Sequence, residues 1–144
     1  MEVIFTETEL TQACKEWRER LNLTDWRVQV GLCRTKDMHT NGIGEISYLD
    51  QSKDAVIRIL HPGDHEGRMT FPLPQDMEYT LVHELLHCKL IHWDAADNDL
   101  MDTLKEQALN DLARTLVHLK REAQPCSTNA DTKPANSAPT AVSP

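Results

Sequence analysis

Two histidines and one glutamate interrupt an apolar run that otherwise has the pattern of a buried helix. The run is LVHELLH, and its polar residues are His83, Glu84 and His87. Positions four residues apart lie above one another on a helix, so the two imidazoles project from one face. Polar groups among apolar neighbours are costly to bury unless something satisfies them, and a metal ion does so. The stretch therefore predicts a helix that carries a metal site, and the alternative is a pair of ordinary helix histidines.

The same HExxH pattern assigns a role to the glutamate between the histidines. Glu84 is rotated by about 100° from His83 around the helix, so it does not share the ligand face. From that position its carboxylate can hydrogen-bond a water held by the metal. Two histidine ligands and a glutamate base are what a zinc peptidase needs to hydrolyse a peptide bond. The pattern therefore predicts Glu84 as the general base.

A catalytic zinc site also needs a third protein ligand and one open position. Glu106, on the next predicted helix, shares a helical face with Leu109 and Ala113, and a carboxylate among apolar residues calls for a cation. Asp102, one turn earlier, is the rival ligand. Asn110, one turn later, is a candidate to orient Glu106 from behind. The predicted ligand set is therefore His83, His87 and Glu106, with the alternatives left open.

Periodicity along the chain predicts an α+β domain. A Thr6–Glu9 capping box introduces a helix over about residues 7–21, and three strands follow in DWRVQVGLC, GEISYL and AVIRIL. Two further helices are predicted over about 76–92 and 99–121. The last helix has a predicted apolar stripe, made by Leu104, Ala108, Leu112, Leu116 and Leu119. A small sheet with helices segregated around it is an α+β arrangement.

Composition narrows the classes of function. The 144 residues include 15 basic and 23 acidic ones, a net charge of −8, which argues against a nucleic-acid-binding surface. No stretch is long enough to span a membrane, and the start MEVIFTETEL is unlike a signal peptide. The four cysteines form no CxxC pair, so reduced thiols and a cytoplasmic location are expected. Residues 1–122 are the predicted domain, and 123–144 are a predicted disordered tail rich in Pro, Ser, Thr and Ala.

HELLH followed by Glu106 in EQALNDLARTL resembles the short-spaced gluzincins. The chain is most similar to the small SprT-like metallopeptidases of phages and bacteria, over roughly residues 8–121. The resemblance implies a zincin-like fold, Zn²⁺ held by His83, His87 and Glu106, and Glu84 as catalytic base. Gluzincins commonly use a Tyr or His to stabilise the oxyanion, and Tyr79, one turn before His83, is the candidate here. The zinc ribbon or DNA-binding segment that SprT-like repair proteins usually carry is missing from this sequence.

Two functions follow as expectations. The first is a peptidase acting on a protein or peptide substrate in the cytoplasm, which for a phage protein is the host cytoplasm. AVIRIL is the strand expected to pair with an extended substrate. The second is a zinc-stabilised, non-catalytic protein-binding module of phage or bacterial origin, since a structural site closes its fourth position. Hydrolysis of an amide other than a peptide is a third, weaker alternative. Oligomeric state is not determined by any of these patterns.

Overall fold

The computed structural model describes residues 1–68, 73–91 and 99–124. Within them the elements run in the order α1 (Glu7–Arg20), β1 (Arg27–Cys33), β2 (Gly44–Leu49), β3 (Asp54–Leu60), α2 (Met77–Lys89) and α3 (Asp99–Ala123). Three α-helices and a small mixed sheet confirm the predicted α+β class. The predicted tail lies outside the described residues from position 125 onward.

Helix α1 begins where the sequence predicts it. Thr6 and Glu9 form the capping box, in which the Glu9 carboxylate accepts from Thr6 N at 2.8 Å and the Thr6 hydroxyl accepts from Glu9 N at 3.3 Å. The helix buries Leu10, Cys14 and Trp17. These side chains belong to the same core as the buried residues of β3 and α2.

The sheet has the order β1-β3-β2, with β1 parallel and β2 antiparallel to β3. AVIRIL, which lies in β3, is therefore the central strand, and its prediction as a substrate-pairing edge is wrong. Because β3 pairs with a strand on each side, it has no free row of backbone N–H and C=O groups with which a substrate could pair. Ile57 and Ile59 of β3 are fully buried, as expected of a central strand.

Helix α2 lies at the centre of the domain and contacts α1, the sheet and α3. Asp76 caps its start by accepting from Tyr79 N at 3.0 Å. Leu81, Val82 and Leu85 are fully buried. The helix ends at Lys89 rather than at about His92, which lies outside the described residues. A helix buried on most sides fixes the positions of any polar groups that it carries.

Helix α3 packs against α2 through a different row of side chains from the one predicted. Its buried residues are Leu109, Ala113 and Val117. Much of the predicted stripe faces outward, with exposed fractions of 47% for Leu104, 46% for Leu112 and 54% for Leu119, while Leu116 is partly buried and packs against the core. Two apolar rows run along this helix, and the buried one shares its face with Glu106 and Asn110. Glu106 and Asn110 on that face have polar partners on α2.

A buried ionic cluster joins α1, α2 and α3 at the end of α2 away from the histidines. The Glu78 carboxylate accepts from Trp17 Nε1 at 2.9 Å, Lys120 Nζ at 2.6 Å and Arg121 Nη2 at 3.0 Å. Burial acts to raise the pKa of Glu78, but the hydrogen bonds from Lys120 and Trp17 outweigh it and hold the pKa below its ordinary value. The charged form of Glu78 therefore stabilises the fold.

Replacing Glu78 by Gln is expected to lower the free energy of unfolding by about 2 kcal/mol at pH 7, because charged hydrogen bonds are lost. A depressed folded-state pKa stabilises the protein above the unfolded-state pKa, and this contribution is lost as the pH falls through the folded value. The difference in free energy of unfolding between the wild type and Glu78→Gln, measured with urea, should therefore become smaller at acid pH. Glu122→Gln, at an exposed pair with His118, is the matched control and should cost under about 1 kcal/mol.

Two further expectations concern composition. None of the described helices is both long and apolar enough to cross a membrane. Cys14, Cys33 and Cys88, the cysteines among the described residues, are all free thiols. The cytoplasmic location stays a prediction.

Candidate metal centre

Helix α2 presents the two histidines of HELLH side by side at the protein surface. Their side chains are 14% exposed for His83 and 16% for His87, and their ring centroids lie 5.1 Å apart. Burial lowers the pKa of His83, although Glu106 and Asn110 act in the opposite direction. A lowered pKa keeps the imidazole neutral near pH 7, which is the form that binds metals.

Helix α3 brings Glu106 to both imidazoles. Glu106 Oε2 lies 3.3 Å from His83 Nε2, and Glu106 Oε1 lies 3.6 Å from His87 Nε2. Two ligand atoms on a tetrahedral zinc with bonds of about 2.0–2.1 Å stand about 3.3–3.4 Å apart. Each imidazole and the carboxylate therefore have the donor types and a pairwise spacing close to what a zinc ion needs, with a different Glu106 oxygen facing each histidine.

Glu84 lies beside the histidines but is covered by strand β2. The residue is 6% exposed, and a Cβ added to Gly44 would stand 2.8 Å from Glu84 Oε1. Burial raises the pKa of Glu84 to about 8, and the carboxylates of Glu106 and Glu45 act in the same direction. One ligand atom from each of His83, Glu84 and His87 lies within 4.8 Å of the other two. Two carboxylates, Glu84 and Glu106, thus lie near the histidine pair.

A cavity of about 520 Å³ opens over these residues. One wall comes from α2 and α3, and the other comes from β2 and the loop before it, with Thr40, Gly44, Glu45, Ile46 and Tyr48. Glu45 is 6% exposed and holds that loop by accepting from His39 N at 2.8 Å and Thr40 N at 2.9 Å. Three glutamates line the cavity, against one lysine, Lys105. A cation bound beside Glu84 would favour its charged form and so oppose the rise in its pKa.

The other residues singled out from the sequence lie elsewhere. Tyr79 does not line this cavity, and its hydroxyl donates to Asn110 Oδ1 at 2.6 Å. The geometry therefore gives no support to Tyr79 as the oxyanion-stabilising residue, and it pairs Asn110 with Tyr79 rather than with Glu106. Asp102, the rival ligand, is exposed and is also absent from the cavity wall.

Sequence reasoning missed the contribution of β2 to the site. Gly44 and Glu45 precede the apolar part of GEISYL and were not predicted to have a role in the chemistry. A glycine at the start of a strand often marks a close approach of another element. That signal is present at Gly44, but it does not say that Glu84 is the group that approaches.

Replacing Gly44 by Ala is expected to displace Glu84, since the new methyl group would overlap Thr80 Cγ2 and crowd Glu84 Oε1. Overpacking of this kind costs about 1–3 kcal/mol, so both the unfolding midpoint in urea and any activity should fall. Gly31→Ala in β1 is the matched control, because its nearest contact would be an ordinary 3.8 Å to Glu7 Oε2. Equal behaviour of the two variants would contradict the close packing of β2 on Glu84.

The chain matches no protein-family model, no curated protein and no solved structure. The resemblance to SprT-like metallopeptidases therefore stays a prediction that depends on the motif residues. The geometry around His83 and His87 is therefore the basis for a proposed function.

Proposed function

We propose that the chain is a zinc-dependent metallopeptidase of the zincin type, similar to the SprT-like proteins. The observation that carries the proposal is the approach of the Glu106 carboxylate to both imidazoles, at 3.3 and 3.6 Å, beside the buried Glu84. In this assignment His83, His87 and Glu106 hold the metal. Glu84 is left with no ligand role and is available as the base.

Each residue then has a defined task. A zinc ion, when bound, supplies Lewis-acid chemistry that polarises a carbonyl and lowers the pKa of a water. Glu84 accepts the proton of the attacking water and passes it to the leaving amine. The neighbouring β2 backbone at Gly44 keeps this carboxylate covered and limits its rotation. The open side of the cavity admits the substrate.

Strand β2 is the element best placed to hold an extended peptide. Leu60 N donates to Ile43 O, so residue 43 faces β3, and the N–H and C=O groups of Gly44 and Ile46 point to the outer edge by antiparallel alternation. Within the described residues no strand pairs with that edge. Both residues also line the cavity. A substrate strand added here would pass directly over Glu84 and the histidines.

One observation favours a second function. The Glu84 ligand atom lies close enough to those of His83 and His87 for all three to hold one ion. If Glu84 and Glu106 both bound the metal, four protein ligands would close the site. The chain would then be a zinc-stabilised protein-binding module without activity.

The test is cleavage of a library of unstructured peptides by zinc-loaded protein, followed by mass spectrometry. We expect products that depend on zinc and disappear when a chelator removes it. X-ray absorption on the same sample reports the number of protein ligands. Four protein ligands without any cleavage would reject the peptidase in favour of the binding module.

A further inference from the structure

Polar pairs connect α2 and α3 along their antiparallel contact. Glu106 faces His83 and His87 at one end, and Arg121 pairs with Asp76 at the other, with Arg121 Nη1 2.8 Å from Asp76 Oδ2. Tyr79 and Asn110 form the pair between them. The Tyr79–Asn110 pair is the one next to the histidines, whereas the Arg121–Asp76 pair is far from them.

The middle pair lies one helical turn from the proposed ligands on both helices. Tyr79 precedes His83 by four residues, and Asn110 follows Glu106 by four residues, so each shares a helix face with its ligand. The Tyr79 hydroxyl donates to Asn110 Oδ1 at 2.6 Å in a partly buried setting. A short bond at this place couples the backbone position of Glu106 to that of the histidine helix.

The chemistry of the pair suits a permanent contact. Burial raises the pKa of Tyr79, so its hydroxyl keeps the proton that it donates. The Arg114 guanidinium lies 5.9 Å from the centre of the Tyr79 ring and covers it from the other side. Asn110 also acts on His83, where it raises the pKa of the imidazole. His83 Nδ1 is nevertheless buried without a well-formed hydrogen bond within the described residues.

Glu106 needs such support because little else holds its side chain. The side chain is 46% exposed, so packing around it leaves several rotamers open. A residue that hydrogen-bonds a metal ligand typically changes metal affinity about 10–100-fold when it is removed. Tyr79 and Asn110 bond to each other rather than to Glu106, so they act through the docking of α3 on α2 and a smaller effect is expected. We propose that Tyr79 and Asn110 are positioning residues that set Glu106 against His83 and His87. This inference rests on the proposed metal site and replaces the oxyanion role predicted for Tyr79.

The experiment measures zinc affinity by competition with a chromogenic chelator for Tyr79→Phe, Asn110→Ala and the double variant. Each single variant should bind zinc about 10-fold more weakly than the wild type, the lower end of the range for direct partners of a metal ligand. The double variant should lose no more zinc affinity than the single variant that binds zinc less tightly. The reason is that the Tyr79–Asn110 hydrogen bond is already broken in each single variant. The visible spectrum of the Co²⁺-loaded proteins should shift in each variant, since the ligand geometry changes.

Arg121→Gln is the matched control, because it breaks another polar pair between the same helices far from the histidines. It should lower the urea midpoint without changing zinc affinity. Circular dichroism checks folding, and Asn110→Ala alone carries the test if Tyr79→Phe does not fold. Wild-type affinity and an unchanged cobalt spectrum in the variants would overturn the proposal, as would an equal loss in Arg121→Gln. Absence of zinc binding by the wild type would instead reject the metal site itself.

Discussion

Replacing Glu84 by Gln is expected to abolish most peptide cleavage while leaving the zinc in place. Gln has nearly the same shape but cannot accept the proton of the attacking water, so kcat should fall about 10²–10⁴-fold. The metal should remain because its proposed ligands, His83, His87 and Glu106, are unchanged. Removing a buried carboxylate whose pKa is raised to about 8 should also leave the fold intact. Elemental analysis and the peptide assay on one sample measure both quantities.

Glu19→Gln, at an exposed position of α1, is the control for the loss of one carboxylate. It should retain both zinc and wild-type kcat. Two results would remove Glu84 from its assigned role. Full cleavage by Glu84→Gln would mean that another group takes the proton. Loss of zinc from Glu84→Gln would mean that Glu84 is a ligand, as the closed-site alternative requires.

Replacing Glu106 by Ala should have the largest effect on metal content. Both imidazoles lose the carboxylate that now lies 3.3 and 3.6 Å from them, and two histidines alone make a weak site. We expect zinc affinity to fall by more than the roughly 100-fold that marks the upper range for a supporting residue. Activity should be lost in proportion at limiting zinc. Measurement of zinc per chain after dialysis shows the effect directly.

Asp102→Ala is the matched control, since Asp102 lies one turn earlier on the same helix and is exposed. It should keep one zinc per chain. The opposite pattern, with zinc lost from Asp102→Ala and kept by Glu106→Ala, would show that the rival carboxylate is the ligand. Full zinc in both variants would make Glu84 the third ligand.

The sequence was sufficient for the parts of the site that one helix encodes. His83, Glu84 and His87 are separated by less than two turns, so helical geometry alone relates them. The sequence also predicts Glu106 as a ligand, because Leu109 and Ala113 on its helical face are apolar, and both are fully buried in the structure. Its pairing with the two histidines depends on how α3 docks, and only the structure supplies that.

Long-range packing explains the errors. AVIRIL is as apolar as a central strand, but strand order depends on which neighbours pair, and local periodicity does not contain that information. Helix α3 offers two apolar rows, and the row with more leucine is the predicted stripe. The smaller row at Leu109, Ala113 and Val117 is the buried one, and Glu106 and Asn110 beside it have polar partners on α2. The close contact of Gly44 with Glu84 depends on how α2 packs against β2, which local sequence does not show.

The modest buried face of α3 has a consequence for how the protein responds to metal supply. Only one of its three buried apolar residues, Leu109, is large, so hydrophobic contact alone holds this helix loosely. A zinc ion bound through Glu106 and the histidines would tie α3 to α2 and raise the free energy of its local opening by mass action. Hydrogen exchange along α3 would then report the free zinc concentration. Zinc starvation would leave a protein that is folded at α1, the sheet and α2, with its last helix opening more often.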